Sequence, residues 1–207
     1  RIYQNNSGTW QQVGSDIDGE AAYDISGYSV SLSDDGTVVA IGGRRNAGNG
    51  IDSGHVRIYQ NNSGTWQQVG SDIDGEAAGD FSGYSVSLSS DGSIVAIGAF
   101  YNAGNGTNSG HVRIYQNNSG TWQQVGSDID GEAASDRSGY SVSLSSDGSI
   151  VAIGAPYNDG TADNSGHVRI YQNNGGTWQQ VGSDIDGEAW ADYSGSSVSL
   201  SDDGSIV

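Results

Sequence analysis

The stretch YSVSLSDDGTVVAIG, Tyr28 to Gly42, decides the fold. Its first part, YSVSLS, alternates large apolar residues with Ser, the period of two of a strand with one covered face. TVVAIG (Thr37 to Gly42) is a nearly continuous apolar run with β-branched residues, suited to a strand covered on both faces. The SDDG between them is a tight-turn signal. Further on, HVRIYQ (His55 to Gln60) and TWQQVG (Thr65 to Gly70) make a second hairpin around NNSG. No stretch has a helical period, and almost every link is Gly, Asn, Asp or Ser. The chain therefore reads as all-β, with four strands per unit.

The unit repeats. RIYQNN begins at Arg1, Arg57, Arg113 and Arg169, a spacing of 56 residues without insertion, so residues 1–207 divide into copies 1–56, 57–112, 113–168 and a partial 169–207. One supersecondary unit copied in tandem is read as one array and one domain. Four antiparallel strands at a period somewhat above the roughly 40–50 residues of common blades favour radial repetition, a β-propeller of near-identical 56-residue, four-stranded blades. Arg1–Gly14 supplies strands three and four of one blade, and Gly195–Val207 strands one and two of another. Pairing of the ends would close a four-bladed ring, or an eight-bladed one if two chains exchanged ends. The preferred expectation is a fragment cut from a longer array, because a strand ended halfway leaves backbone groups unpaired.

Composition narrows the function. Seven basic residues, all Arg, stand against 25 Asp and Glu, for a net charge of -18. Nucleic acid and anionic membranes would be repelled, since counterion release needs clustered cations. Divalent cations are the better partners. There is no Cys, so disulfides and thiolate chemistry are excluded, and no apolar run approaches the roughly 20 residues of a membrane span.

SGYSVSLSSDGSIVAIGAPYN (Ser138 to Asn158), followed by SGHVRIYQ (Ser165 to Gln172), resembles the FG-GAP repeat of integrin alpha-chain-like propellers. Gly154-Ala155-Pro156 matches GAP; the other copies read Gly42-Gly43-Arg44 and Gly98-Ala99-Phe100, and Ser-Gly replaces FG. The resemblance implies a blade in a closed ring, an extracellular setting, and adhesion or ligand binding. It also implies a calcium loop of the form DxDxDG between the first two strands. Here that link is only Asp34-Asp35-Gly36 or its Ser-Asp-Gly counterpart, so this site does not carry over.

An acidic stretch recurs elsewhere, after the fourth strand. Its carboxylates are Asp16, Asp18, Glu20 and Asp24, then Asp72, Asp74, Glu76 and Asp80, then Asp128, Asp130, Glu132 and Asp136, then Asp184, Asp186, Glu188 and Asp192. Offsets of 1, 3, 5 and 9 suit alternate side chains converging on Ca²⁺. The competing reading is a turn: Ile17 plugs a seam between blades, Gly19 bends the chain and an Asp accepts backbone N–H bonds. The recurring Arg would neutralise part of the charge.

His55, His111 and His167 recur 56 residues apart, without the tight spacing of a zinc site, and read as blade residues. Trp10, Trp66, Trp122 and Trp178 read as packing, with a sugar-stacking platform as the alternative. There is no G-x-S-x-G elbow or singular Cys or His, and four equal loops are a poor way to build one asymmetric active site. The chain reads as non-catalytic.

Between the second and third copies, every change falls in two windows, one before the first strand and one between strands two and three. In an up-down blade both emerge on one rim. Across the copies that rim carries Tyr23, Arg44, Arg45, Phe81 and Phe100, together with Tyr101, Arg137, Tyr157, Trp190 and Tyr193, an aromatic and Arg mixture of the kind that makes interface hot spots. Two functions follow. One is a secreted or cell-surface adhesion module that holds a carbohydrate or protein by multivalent contacts. The other is a structural repeat of a stalk, sheath or filament that self-associates.

Overall fold

The computed structural model describes all 207 residues, and they form seventeen β-strands and no helix. Tyr3–Asn6 (β1) and Thr9–Gln12 (β2) make a two-stranded sheet. Ser26–Leu32 (β3), Val38–Gly43 (β4), His55–Asn62 (β5) and Thr65–Gln68 (β6) make the first blade, with Ile73–Asp74 (β7) alongside β5. The second blade repeats this with Ser85–Leu88 (β8), Ile94–Ala99 (β9), His111–Asn118 (β10), Thr121–Gln124 (β11) and Ile129–Asp130 (β12). The third has Ser141–Leu144 (β13), Ile150–Ala155 (β14), His167–Asn173 (β15), Trp178–Gln180 (β16) and Ile185–Asp186 (β17). All pairings within a blade are antiparallel between neighbours, the meander of a propeller blade.

The period of two explains the packing. In β4, Val38 and Ala40 join Val56 and Ile58 of β5 and Ile73 in a cluster with Leu88, Val95 and Ile97 of the following blade. Val39 and Ile41 point the other way, with Tyr59 and Trp66, onto Ile2, Val13 and Ile17. A run apolar at every position is thus covered on both faces, one by each neighbouring sheet. Ile58, Ile97, Ile114 and Ile153 are at most 2% exposed, and burying each stabilises by about 1.5–3 kcal/mol.

Ser alternates with the apolar residues of the first strands because one face must come close to the next blade. Ser29 Oγ donates to the Gly83 carbonyl (2.7 Å), and the Leu88 N–H donates to Ser31 Oγ (3.0 Å). The same bonds recur from Ser85 to Gly139 and from Leu144 to Ser87. On the fourth strand, Trp66, Trp122 and Trp178 each donate from Nε1 to a carbonyl of the preceding sheet, Val13, Val69 and Val125, at 2.8 Å. Their surroundings are those of packing residues.

Two expectations change, and the alternative of paired ends finds no ladder. The acidic stretch is not wholly a link: His55 and Val56 pair with Asp74 and Ile73, so the fourth strand is split, with β6 on one half of β5 and β7 on the other. Ile73 and Ile129 do fill seams, 6% and 5% exposed. Gly195–Val207 forms no strands, although it lies against the third blade, where Ser141 Oγ donates to the Gly195 carbonyl and the Leu200 N–H to Ser143 Oγ. Finally, β1 and β2 pair only with each other, so no ladder joins the two ends of one chain.

Candidate functional site

The variable residues meet on one face. Tyr28, Tyr84 and Tyr140, the same position in three blades, lie with ring centroids 5.0 and 4.9 Å apart. Phe100 packs on Tyr84 and on Tyr101, both at 4.1 Å, and Phe81 sits edge-on to Tyr101 at 5.4 Å. The row continues from Tyr140 to Tyr157 (6.4 Å) and from Tyr157 to Tyr193 (5.3 Å). Two guanidiniums lie over it: Arg44 is 4.3 Å from the Tyr28 centroid and Arg137 3.9 Å from that of Tyr157. Cation–π contacts of this kind contribute about 0.5–2 kcal/mol each. Burial, then the phenols of Tyr140 and Tyr28, push the Tyr84 hydroxyl well above the ordinary tyrosine range, so it stays neutral.

Three members of this row share a strained backbone position with Ile25. Ile25, Phe81, Arg137 and Tyr193 are one position in four copies, and all have positive φ, from 52° to 58°. The left-handed region costs an L-residue about 1–2 kcal/mol and would suit Gly. Large and different side chains stand there instead.

Seven of the ten rim residues expected from sequence come together in this row: Arg44, Phe81, Phe100, Tyr101, Arg137, Tyr157 and Tyr193. Tyr23 and Trp190 are 90% and 71% exposed, apart from it, and Arg45 is exposed. Tyr28, Tyr84 and Tyr140 were missed. They do not vary among the three full copies, and comparing copies finds only what varies.

The four carboxylates of an acidic loop part company. Asp16 meets Arg1 and Gln12. The backbone carbonyls of Asp18, Asp74 and Asp130 accept from Arg57, Arg113 and Arg169 of the next blade at 2.7–2.8 Å. Asp24, Asp80 and Asp136 are buried; each accepts the N–H of the Ala three residues earlier and the side-chain amide of Asn46, Asn102 or Asn158. Asp192 keeps the bond to Ala189 but is exposed. Each carboxylate or its carbonyl is thus engaged by a different partner, so the structure does not gather one loop's carboxylates around a point. It gathers the Glu of one loop with the His and first Asp of the next blade: Glu20 with His55 and Asp72, Glu76 with His111 and Asp128, Glu132 with His167 and Asp184. Chain spacing hid this grouping because it crosses a seam. Burial, then Arg169, hold the His167 imidazole below its usual range, hence neutral.

Residues 72–115 and 128–171 match the FG-GAP repeat family. The chain carries FG-GAP repeats. Both matched stretches run from an acidic loop through the hairpins of the next blade to its third strand. No curated protein matches the sequence. Among solved structures, a provisionally assigned 6-phosphogluconolactonase from Bacteroides uniformis overlays with a TM-score of 0.50 at 14% identity, over 78% of this chain and 41% of that one. Another from Bacteroides fragilis gives 0.50 at 13% identity, over 78% and 39%. The chain therefore spans about two fifths of these structures. At such identities the likeness is one of fold, a propeller-like stack of four-stranded sheets.

The turn between the first two strands is closed by its own hydrogen bonds. Asp35 Oδ1 accepts from the Thr37 N–H (2.9 Å), the Thr37 hydroxyl and the Ser33 hydroxyl (both 2.8 Å). The N–H two residues on, then the flanking hydroxyls, hold Asp35, Asp147 and Asp203 below the ordinary carboxyl range, Asp203 at about 2. A depressed folded pKa means stability present above the unfolded value of about 3.9 and lost as pH falls through the folded one. The urea midpoint is thus expected to drop between about pH 4 and 2. Asp147→Asn should flatten part of that slope; an unchanged slope would show that these turns do not contribute.

Proposed function

We propose that this chain is a non-catalytic binding module, secreted or displayed at a cell surface, that holds a carbohydrate or protein ligand on its aromatic and Arg face. The observation that carries the reading is the continuous row from Tyr28 to Tyr193, built by several blades and fed by a strained position occupied each time by a large side chain. Rings offer flat apolar faces to a sugar or side chain. The three Arg outside the seams, Arg44, Arg45 and Arg137, all belong to this rim, and in so acidic a chain they favour ligands bearing carboxylates. Repetition along the array lets weak contacts add through effective concentration.

The test is a glycan array followed by titration of the best hit. Tyr101→Ala combined with Tyr157→Ala is expected to weaken binding at least tenfold with little change in melting, and Trp190→Ala to do far less. Equal loss from changes in the Asn117–Gly120 turn would overturn the assignment of the face.

A second reading, a structural repeat of a stalk, sheath or filament, is favoured by the seams: the same Ser, Arg and Trp bonds join each successive pair of blades. Ordered polymers in electron micrographs of the native material, with no ligand found, would select it.

A further inference from the structure

Each seam between blades holds a histidine whose environment is unfinished. His55, His111 and His167 have side chains only 1% exposed, and Nδ1 of each lacks a hydrogen-bond partner. Yet Nδ1 faces two carboxylates. From His55 the distances are 3.3 Å to Asp72 Oδ2 and 3.6 Å to Glu20 Oε2; the copies give 3.5 and 3.8 Å, then 3.6 and 3.9 Å. A charge-assisted N–H···O bond spans about 2.7–2.9 Å. Donor atoms bound to one ion at about 2.0–2.2 Å stand roughly 3.0–3.6 Å apart instead.

The carboxylates are already oriented. Asp72 Oδ1 accepts from Gln68 Nε2 at 2.6 Å, leaving Oδ2 toward the imidazole, and Asp128 and Asp184 are held likewise by Gln124 and Gln180. Glu20 Oε1 lies 3.8 Å from Arg57 Nη1, and Oε2, which accepts from Asn46 Nδ2 at 3.2 Å, faces the imidazole. Outer contacts that fix a ligand's orientation are a mark of metal sites. At each seam two carboxylates stand against one guanidinium, an excess of acidic groups that attracts a cation. The Glu and Asp side chains are partly exposed, 44% and 25% in the first copy, which leaves a path for an ion and its waters.

We infer that each seam binds a divalent first-row transition ion, Zn²⁺ foremost, through the Nδ1 of its His, the Oδ2 of its Asp and the Oε2 of the preceding Glu. One imidazole with two carboxylates suits Zn²⁺ over Ca²⁺, which prefers an all-oxygen shell. The Glu belongs to one sheet and the His and Asp to the next, so the ion staples successive blades, three times per chain. These sites are distinct from the single-loop arrangement that the carboxylate offsets suggest.

The experiment is titration of the metal-free chain with ZnCl2 by calorimetry and with CoCl2 by visible absorption. About three equivalents are expected, with a Co²⁺ d–d band that Zn²⁺ abolishes and millimolar Ca²⁺ does not. Glu20→Gln, Glu76→Gln and Glu132→Gln together, at partly exposed positions that put folding at little risk, should weaken binding at least tenfold; His111→Gln should remove one equivalent. No heat and no band up to millimolar metal would overturn the inference. So would affinity unchanged in the triple Gln variant, or displacement of Co²⁺ by Ca²⁺.

Discussion

Replacing Gly98 with Ala is expected to destabilise the array by about 3 kcal/mol, the upper part of the range for overpacking a tight interior. Gly98 lies in β9, facing the next blade, and a Cβ there would stand 2.1 Å from the Gly139 carbonyl oxygen and 2.3 Å from Ser85 Oγ. Ser85 already donates to that carbonyl, so the methyl group would force the two sheets apart and break the bond joining them. A backbone carbonyl cannot rotate away as a flexible side chain can. The control is Gly79→Ala: Gly79 has φ +84° but nothing within 4 Å of an added Cβ. Its counterparts are Tyr23, Ser135 and Ala191, all at positive φ, so its cost should be about 1 kcal/mol. Urea midpoints compare the two, and equal losses would show that blades do not depend on this approach.

Trp122→Ala is expected to cost about 3–5 kcal/mol, the range for removing a large aromatic from a packed interior. Its indole packs on the cluster that spans the first two blades and its Nε1–H meets the Val69 carbonyl at 2.8 Å. Truncation removes apolar contact and a seam hydrogen bond together. Trp10 holds the same place in the repeat but is 66% exposed, so Trp10→Ala should change stability by no more than about 0.5 kcal/mol. The pair also decides between packing and a sugar platform. On a platform, Trp122→Ala would abolish glycan binding and leave the denaturation midpoint in place.

Local pattern carried the strands, because they are set by forces acting within a few residues. The alternation in YSVSLS, the double-sided run in TVVAIG and the SDDG turn mark β3, β4 and their connection, and the 56-residue period multiplies them into blades. The variable rim was legible for a related reason: near-identical copies that differ in two windows place their differences on one face of an up-down meander. Seven of those residues meet there.

What remained hidden depends on which blade touches which. The Arg57 guanidinium bonds the carbonyl of Asp18, 39 residues away, and Glu20 approaches His55 across the same seam. Arg57 lies one copy beyond Asp18 and Asp72 one copy beyond Glu20 and His55, and the offsets within one acidic loop suggest a convergence that the folded loop does not make. The Tyr28, Tyr84 and Tyr140 row is likewise a product of stacking, since each ring lies 56 residues from the next and becomes its neighbour only when sheets pack face to face. The sequence by itself determined the strands, their period and the residues that vary; the tertiary structure decided which side chains share a site, because the alternation of side chains along a strand is local whereas contact across a seam requires two folded blades.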